Sequence, residues 1–208
     1  SAATRYLAAM ADSGTAGYFG GGSTGGAVDT VDKFAFSDDS RSTLGTGLSA
    51  ATRYLAAMAD SGTAGYFGGG LAPSAVSTVD KFAFSDDSRS TLGTGLSAAI
   101  YVLAGMADSG TAGYFGGGYD GSYVDTVDKF DFSDDSRTTL GTGLSVARYG
   151  LAGMADSGTA GYFGGGYTGS NYSTVDKFDF SDDSRSTLGT GLSSARYDLA
   201  AMANTAGL

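Results

Sequence analysis

The chain has 208 residues and a formal net charge of −10, and it contains no Cys, His, Trp, Glu or Gln. This composition excludes disulfides, Ser/His and Cys/His catalytic arrangements, and the usual ligands of zinc and copper. The acidic balance disfavours nucleic acid, because a phosphate backbone is bound by clustered Lys and Arg. No apolar stretch approaches the roughly 20 residues of a membrane span. We therefore expect no enzyme activity, no metal, no cofactor and no membrane span.

A unit of 48 residues occurs four times along the chain, and the beginning of a fifth copy follows. One methionine in each copy marks the spacing: Met10, Met58, Met106, Met154 and Met202. A period of this size indicates a solenoid, a propeller or another array, in which each unit buries its core against its neighbours. We predict a single domain over 1–208, with repeats 1–48, 49–96, 97–144 and 145–192 and a closing strand over 193–208.

Within each copy, turn signals such as Asp-Ser-Gly and Ser-Asp-Asp-Ser separate four short apolar segments. In the third copy these segments cover 101–107, 112–117, 126–132 and 137–144. Their lengths suit strands, and the chain is rich in Thr, Tyr and Phe but lacks several strong helix formers. The prediction is an all-β fold, a β-propeller of four-stranded antiparallel blades with four repeats and a fifth copy of the inner strand.

The third predicted strand of each copy carries a pair of phenylalanines. In the third copy these are Phe130 and Phe132, which lie two residues apart and so point to the same face of the sheet. We expect the pair to pack between stacked blades.

The fourth copy shows the pattern of one blade in full. It has Arg148 before the first strand, Tyr162-Phe163 followed by three glycines at the end of the second strand, and Val175-Asp176-Lys177-Phe178 in the third. In their order and spacing these residues resemble the kelch repeat, whose blade has an Arg, an aromatic with a Gly-Gly doublet, and a Val-x-x-aromatic strand. The resemblance covers all four copies and implies a kelch-like propeller.

The differences between the copies are concentrated in two places. Fourteen of the 48 positions vary, and eleven of these lie in the loop between strands two and three or at the entry to strand one. In an antiparallel four-stranded blade both places lie at the same end, and loops on a rigid scaffold are where binding usually occurs. Neutral drift in tolerant loops is the alternative. The Asp-Ser-Gly and Ser-Asp-Asp-Ser turns are equally exposed yet constant, which favours a binding face.

The varied face combines tyrosines with a few polar and charged side chains, a mixture suited to protein surfaces and to stacking on sugar rings. The predicted ligand-binding residues are Tyr101, Tyr119, Asp120, Tyr123, Arg148, Tyr149, Tyr167, Asn171, Tyr172, Arg196 and Tyr197.

Two functions remain open from the sequence. The first is a non-catalytic binding or scaffold propeller that presents this face to a protein or glycan. The second is a structural role in a viral or cell-surface fibre, or in a multi-chain propeller whose loops make subunit contacts. Extracellular and virion-associated locations are both compatible with the repeats. Three arrangements of blades are also open: a four-bladed ring, half of an eight-bladed homo-dimer, or the end of a longer array.

Overall fold

The computed structural model describes residues 3–156 and 158–202, which contain strands, turns and bends but no helix. Eighteen strands follow in chain order: β1 (Ala8–Ala11), β2 (Ala16–Gly20), β3 (Val31–Ala35), β4 (Arg41–Thr43), β5 (Ala56–Asp60), β6 (Ala64–Gly68), β7 (Leu71–Ala72), β8 (Ser74–Ala75), β9 (Val79–Ala83), β10 (Arg89–Thr91), β11 (Ala104–Asp108), β12 (Ala112–Gly116), β13 (Val127–Asp131), β14 (Arg137–Thr139), β15 (Ala152–Asp156), β16 (Ala160–Gly164), β17 (Val175–Asp179) and β18 (Arg185–Thr187).

Sixteen of these strands form four sheets, and each sheet is a four-stranded antiparallel blade made from one repeat. Blade 1 consists of β1 to β4, blade 2 of β5, β6, β9 and β10, blade 3 of β11 to β14, and blade 4 of β15 to β18. The chain divides into two compact units, Ser1–Tyr101 with blades 1 and 2 and Val102–Leu208 with blades 3 and 4. The predicted all-β propeller of four-stranded blades is confirmed.

The Ser-Asp-Asp-Ser turn between the last two strands of a blade depends on both of its aspartates. In blade 2, Asp86 Oδ1 accepts a hydrogen bond from Ser88 N at 3.0 Å, and bonding to Ser88 lowers the pKa of Asp86. Asp87 has a φ of 58°, a left-handed conformation that Asp tolerates better than most residues. The first aspartate therefore closes the turn, which leaves the carboxylate of the second available to another blade.

Blades 1 and 2 pack face to face within the first unit. The Met10 side chain of blade 1 lies where a side chain on Gly65 of blade 2 would be, so only glycine allows this approach. The Tyr18 ring stacks on Phe84 with centroids 5.3 Å apart. All of these side chains except the glycine belong to the buried core. The predicted packing of the phenylalanine pair between blades is thus observed at Phe84.

The same contact includes a polar clamp. Tyr18 Oη donates a hydrogen bond to Asp87 Oδ1 at 2.8 Å, and Lys33 Nζ forms an ion pair with Asp87 Oδ2 at 2.8 Å. The ammonium group also lies 5.4 Å from the centre of the Tyr18 ring. Two side chains of blade 1 are therefore held by one turn of blade 2.

Blades 3 and 4 repeat this arrangement within the second unit. Tyr114 stacks on Phe180 with centroids 5.4 Å apart, and its Oη donates to Asp183 Oδ1 at 2.8 Å. Lys129 Nζ lies 2.7 Å from Asp183 Oδ2. The contact is therefore a property of the repeat and not of one pair of blades.

Each contact has two different sides, which we call the leading face and the receiving face. The leading face supplies the methionine, tyrosine and lysine, which in blade 1 are Met10, Tyr18 and Lys33. The receiving face supplies the glycine, the second phenylalanine of the pair and the turn aspartate, which in blade 2 are Gly65, Phe84 and Asp87. Every repeat carries one face of each kind.

Three predicted segments differ from the observed strands, each for a local reason. The fourth segment of the third copy was predicted over 137–144, but β14 ends at Thr139, because residues 141–142 form a bend. In the third copy β11 begins at Ala104, because Val102 has a φ of 56° and cannot continue a strand. Residues 193–202 of the predicted closing strand contain no strand, since the fifth copy contains no second-strand segment with which to pair. The remainder of that prediction, 203–208, lies outside the described residues.

Candidate functional site

In blades 1, 2 and 4 the entry to strand one and the loop between strands two and three lie at the same end, as the sequence predicted. In blade 2, Arg53 forms an antiparallel bridge with Leu71, and in blade 4 Tyr149 forms one with Tyr167. In the latter, Tyr167 N donates to Tyr149 O at 2.9 Å. In these blades the variable entry and the variable loop are therefore brought together at one end.

The loops between strands two and three are themselves small hairpins. Tyr119 is bridged to Tyr123 in the third repeat, and Tyr167 to Asn171 in the fourth. The exposed Asp120 accepts a hydrogen bond from Ser122 N at 3.0 Å, which closes the tip of the third-repeat loop. Backbone pairing thus fixes the positions from which the tyrosine side chains project.

Five tyrosines of the second unit touch one another, and we call them the tyrosine cluster: Tyr119, Tyr123, Tyr149, Tyr167 and Tyr197. They come from the third, fourth and fifth copies of the repeat. Tyr123 stacks on Tyr149 at 5.7 Å with an interplanar angle of 16°. Tyr167 lies 5.6 Å from Tyr149 and 5.4 Å from Tyr197, measured between ring centroids.

The cluster is accessible at its outer side. Four of the rings are partly buried by each other, while Tyr197 is 44% exposed. Burial raises the pKa of Tyr149, and the neighbouring Tyr123 and Tyr197 raise it further. The Tyr149 phenol is therefore neutral at physiological pH, where it can both donate and accept hydrogen bonds.

Arg148 does not belong to this face, so its prediction as a ligand-binding residue is wrong. Its side chain is fully buried, and Nη2 forms an ion pair with the equally buried Asp176 at 2.9 Å. Nη1 donates to Val146 O at 3.2 Å, and Nη2 lies 3.4 Å from Phe163 O. A ligand on the surface cannot reach this guanidinium group.

The second repeat shows what Arg148 does in the fourth. Thr52 occupies the same repeat position as Arg148, and Asp80 the same position as Asp176. A small cavity lies there, with Thr52, Phe67 and Asp80 in its lining. Arg148 therefore fills a space that a threonine leaves open, and it neutralises the carboxylate inside. Its function in the structure is to support the blade.

The other predicted residues of the second unit lie around the cluster. Asn171 and Arg196 are exposed and Tyr172 is partly buried. Arg196 holds its own loop, since Nη2 donates to Ser193 Oγ at 3.0 Å. Tyr172 N donates to Gly166 O at 2.8 Å, and no ring contact joins Tyr172 to the cluster among 3–156 and 158–202. These side chains form a polar rim.

Tyr101 lies in the first unit, next to two further tyrosines. Its ring is 6.3 Å from Tyr54, and Tyr54 stacks on Tyr6 at 4.2 Å. Arg5 lies over Tyr6 at 5.1 Å and Arg53 over Tyr54 at 5.7 Å, both within range of a cation–π interaction. Sequence reasoning did not assign Tyr6 and Tyr54, although the Arg-Tyr pair recurs at the variable entry of both repeats.

Among 3–156 and 158–202, no three carboxylate side chains are grouped closely enough to hold a metal ion. Within the same ranges, no helix is long and apolar enough to cross a membrane.

The fold has a relative among solved structures. The chain is similar to the structure of YjhT, with a TM-score of 0.76 and 15% sequence identity over 96% of this chain and 74% of that one. No family model matches the chain, and no curated protein sequence matches it. At this identity the likeness concerns the fold alone, and it supports a propeller built from repeated four-stranded blades.

Proposed function

We propose that the chain is a non-catalytic binding module, a kelch-like propeller that presents the tyrosine cluster to the surface of a protein or glycan. The observation that carries the proposal is the convergence of five tyrosines from three repeats on the variable face. The constant residues of the repeat build the blades, and all five tyrosines of the cluster occupy positions that vary between repeats.

The chemistry of the cluster suits recognition of a surface. Tyrosine offers a large rigid apolar area with a polar tip, so it loses little conformational entropy on binding. Contact between the rings fixes their orientation before a partner arrives, which lowers the cost of association. Around the rings, Asp120, Asn171 and Arg196 offer an anion, an amide and a cation for directed hydrogen bonds.

The chain's inventory of side chains supports a non-catalytic role. Without His or Cys, the chain lacks the commonest general base and the Ser/His and Cys/His nucleophile pairs. The Asp-Asp pairs recur unchanged in all four repeats, whereas an active site is expected once per chain.

The test combines a glycan array with a pull-down from extracts, followed by variants. Tyr119→Ser with Tyr167→Ser should abolish capture of any ligand found, while Tyr6→Ser with Tyr54→Ser is the matched control in the first unit. Tyr119→Phe with Tyr167→Phe should retain binding if ring area dominates. Capture that survives the first pair of substitutions in a folded protein would contradict the proposal.

A role in assembly is the second candidate, and a separate observation favours it. Blade 1 of the first unit exposes Phe19 and Phe36, and blade 4 of the second unit exposes Met154.

A further inference from the structure

The receiving face of blade 1 is uncovered. Phe19 and Phe36 are 43% and 51% exposed, whereas their counterparts Phe67 and Phe84 in blade 2 are 2% and 9% exposed. A side chain at Gly17 would meet only atoms of its own blade, while Gly65, at the same repeat position, receives Met10. Blade 1 therefore carries an apolar face with nothing packed on it among the described residues.

The leading face of blade 4 is uncovered in the same way. Met154 is 42% exposed, whereas Met106 in blade 3 is 4% exposed. A side chain at Gly164 would meet only Val175 of its own blade. In addition, Tyr162 and Lys177 have no hydrogen bond or ion pair within 3–156 and 158–202, although the equivalent side chains of blades 1 and 3 are clamped to a turn aspartate.

We propose that these two surfaces are the halves of one interface, through which blade 4 of one copy of the chain docks head-to-tail on blade 1 of a second copy. The two internal contacts of the units show what a leading face binds, namely a receiving face. Because the exposed halves differ from each other, the interface is heterologous, and each copy offers one half of each kind.

The contacts of the interface follow from the repeat. Met154 of the first copy enters the space over Gly17 of the second, as Met10 does over Gly65. Tyr162 stacks on Phe36, and the Tyr162 hydroxyl and Lys177 bind Asp39 in its turn. Asp39 has a φ of 56°, close to the 58° of Asp87 and of Asp183, so its carboxylate is already placed as the clamp requires.

Charge complementarity supports a second copy as the occupant. Among the residues that the structure describes, neither Asp39 nor Lys177 forms an ion pair. In both internal contacts the equivalent lysine and aspartate pair at 2.7–2.8 Å. A partner of unrelated sequence would have to provide a methionine, a tyrosine and a lysine in the same geometry, which this chain already displays on blade 4.

Docking has one structural consequence at the chain ends. Arg196 O accepts a hydrogen bond from Gly166 N, just as Thr52 O accepts one from Gly22 N. Residues 196–202 therefore lie where residues 4–10 of the second copy must enter its blade 1. Since 8–11 are paired as β1 and 197–202 form no strand, we expect residues 197–202 to leave. The backbone amide of Asp198 donates to Gly150 O at 2.8 Å. On docking it then loses its protection from hydrogen exchange.

The decisive experiment mixes two variants of the 208-residue chain. Phe19→Asp removes the receiving half and Met154→Asp removes the leading half, and both positions are exposed enough to allow folding, which circular dichroism checks. By sedimentation velocity, the wild-type chain should exceed its 20.7 kDa mass as its concentration rises. Each variant alone should remain a monomer, and an equimolar mixture should form a 1:1 complex. A monomeric wild type, or a mixture that stays monomeric, would overturn the proposal.

A second pair of variants makes a smaller change, so that a loss of association does not result from unfolding. Asp39→Asn removes the charge of the clamp, and Asn can adopt the left-handed conformation of this turn. The variant should weaken association about 2- to 5-fold, the usual range for a partly exposed ion pair. Asp120→Asn makes the same change of charge in a loop outside the interface and should have no effect. Equal effects of the two, or an Asp198 amide that stays protected in the associated state, would contradict head-to-tail docking.

Discussion

Arg148 offers the sharpest test of the reasoning, because sequence and structure give it different roles. We expect Arg148→Met to destabilise the second unit without changing the tyrosine cluster. The substitution keeps most of the side-chain volume but leaves Asp176 without its buried cation at 2.9 Å. Removing one partner of a buried pair usually costs about 3–5 kcal/mol.

The structure indicates a smaller loss of stability at this site. Asp176 keeps hydrogen bonds from Ser145 N and Oγ, both at 2.9 Å, and from Thr187 Oγ1 at 2.7 Å. Asp80 in blade 2 is buried with the equivalent hydrogen bonds and no arginine at the position of Thr52. We therefore expect a loss of about 2–3 kcal/mol, equivalent to roughly 5–10 °C in Tm.

The assay is thermal unfolding followed by circular dichroism at several pH values. Burial raises the pKa of Asp176, but the bonds from Ser145 and Thr187 and the charge of Arg148 outweigh it and hold the pKa below its ordinary value of 3.8. The carboxylate therefore contributes stability above about pH 4, and this contribution is lost as the pH falls through the lowered pKa. The difference in Tm between wild type and variant should shrink below pH 4.

Arg196→Met is the matched control, since Arg196 has the same repeat position but is exposed. It should leave the Tm unchanged. If the Arg148→Met protein is as stable as this control, the structural role is refuted. The role is also refuted if Arg148→Met leaves the stability unchanged but abolishes binding of a ligand that the wild type binds.

Three further outcomes are expected. Thr52→Arg should fill the cavity beside Asp80 and raise the free energy of unfolding of the first unit by about 1 kcal/mol in urea titrations; a loss would show that the cavity cannot admit the side chain. Gly65→Ala should cost about 1–3 kcal/mol by overpacking against the neighbouring methionine, and Gly17→Ala, at the same repeat position without that neighbour, should cost much less in the same titration. Burial and the bond to its aspartate raise the pKa of Tyr114, so stability falls as the pH rises above about 10, and Tyr114→Phe should flatten this alkaline decline in melting curves.

Much of the fold follows from the sequence, because the repeat is regular and its turn residues are distinctive. The predicted segment 112–117 corresponds to Ala112–Gly116, and 126–132 to Val127–Asp131. The first strand was predicted too long, since nothing in the sequence around Val102 indicates that this residue has a left-handed backbone conformation. The division into two units was also beyond reach, because the repeats on either side of Tyr101 are nearly identical.

The geometry of the candidate site follows only in part from the sequence. Variation between copies pointed to one end of the blades, and the tyrosines of the second unit do meet there. It could not show that Arg148 turns inward, because the aspartate that attracts it lies 28 residues later, on β17. Nor could it show which copies of a constant residue are exposed: Phe19 and Phe67 have the same neighbours in sequence and differ only in what packs against them.

The blade contact also has a consequence for how such a chain can evolve. Each 48-residue unit brings one leading and one receiving face of constant composition, so a recombination event that duplicates or deletes a whole unit creates no mismatched surface. Loss of 49–96, for example, would set Met10 of blade 1 against Gly113 of blade 3, the same residue type that it meets at Gly65. Repeat number is therefore free to change in a single genetic step, while the variable face gains or loses one loop at a time.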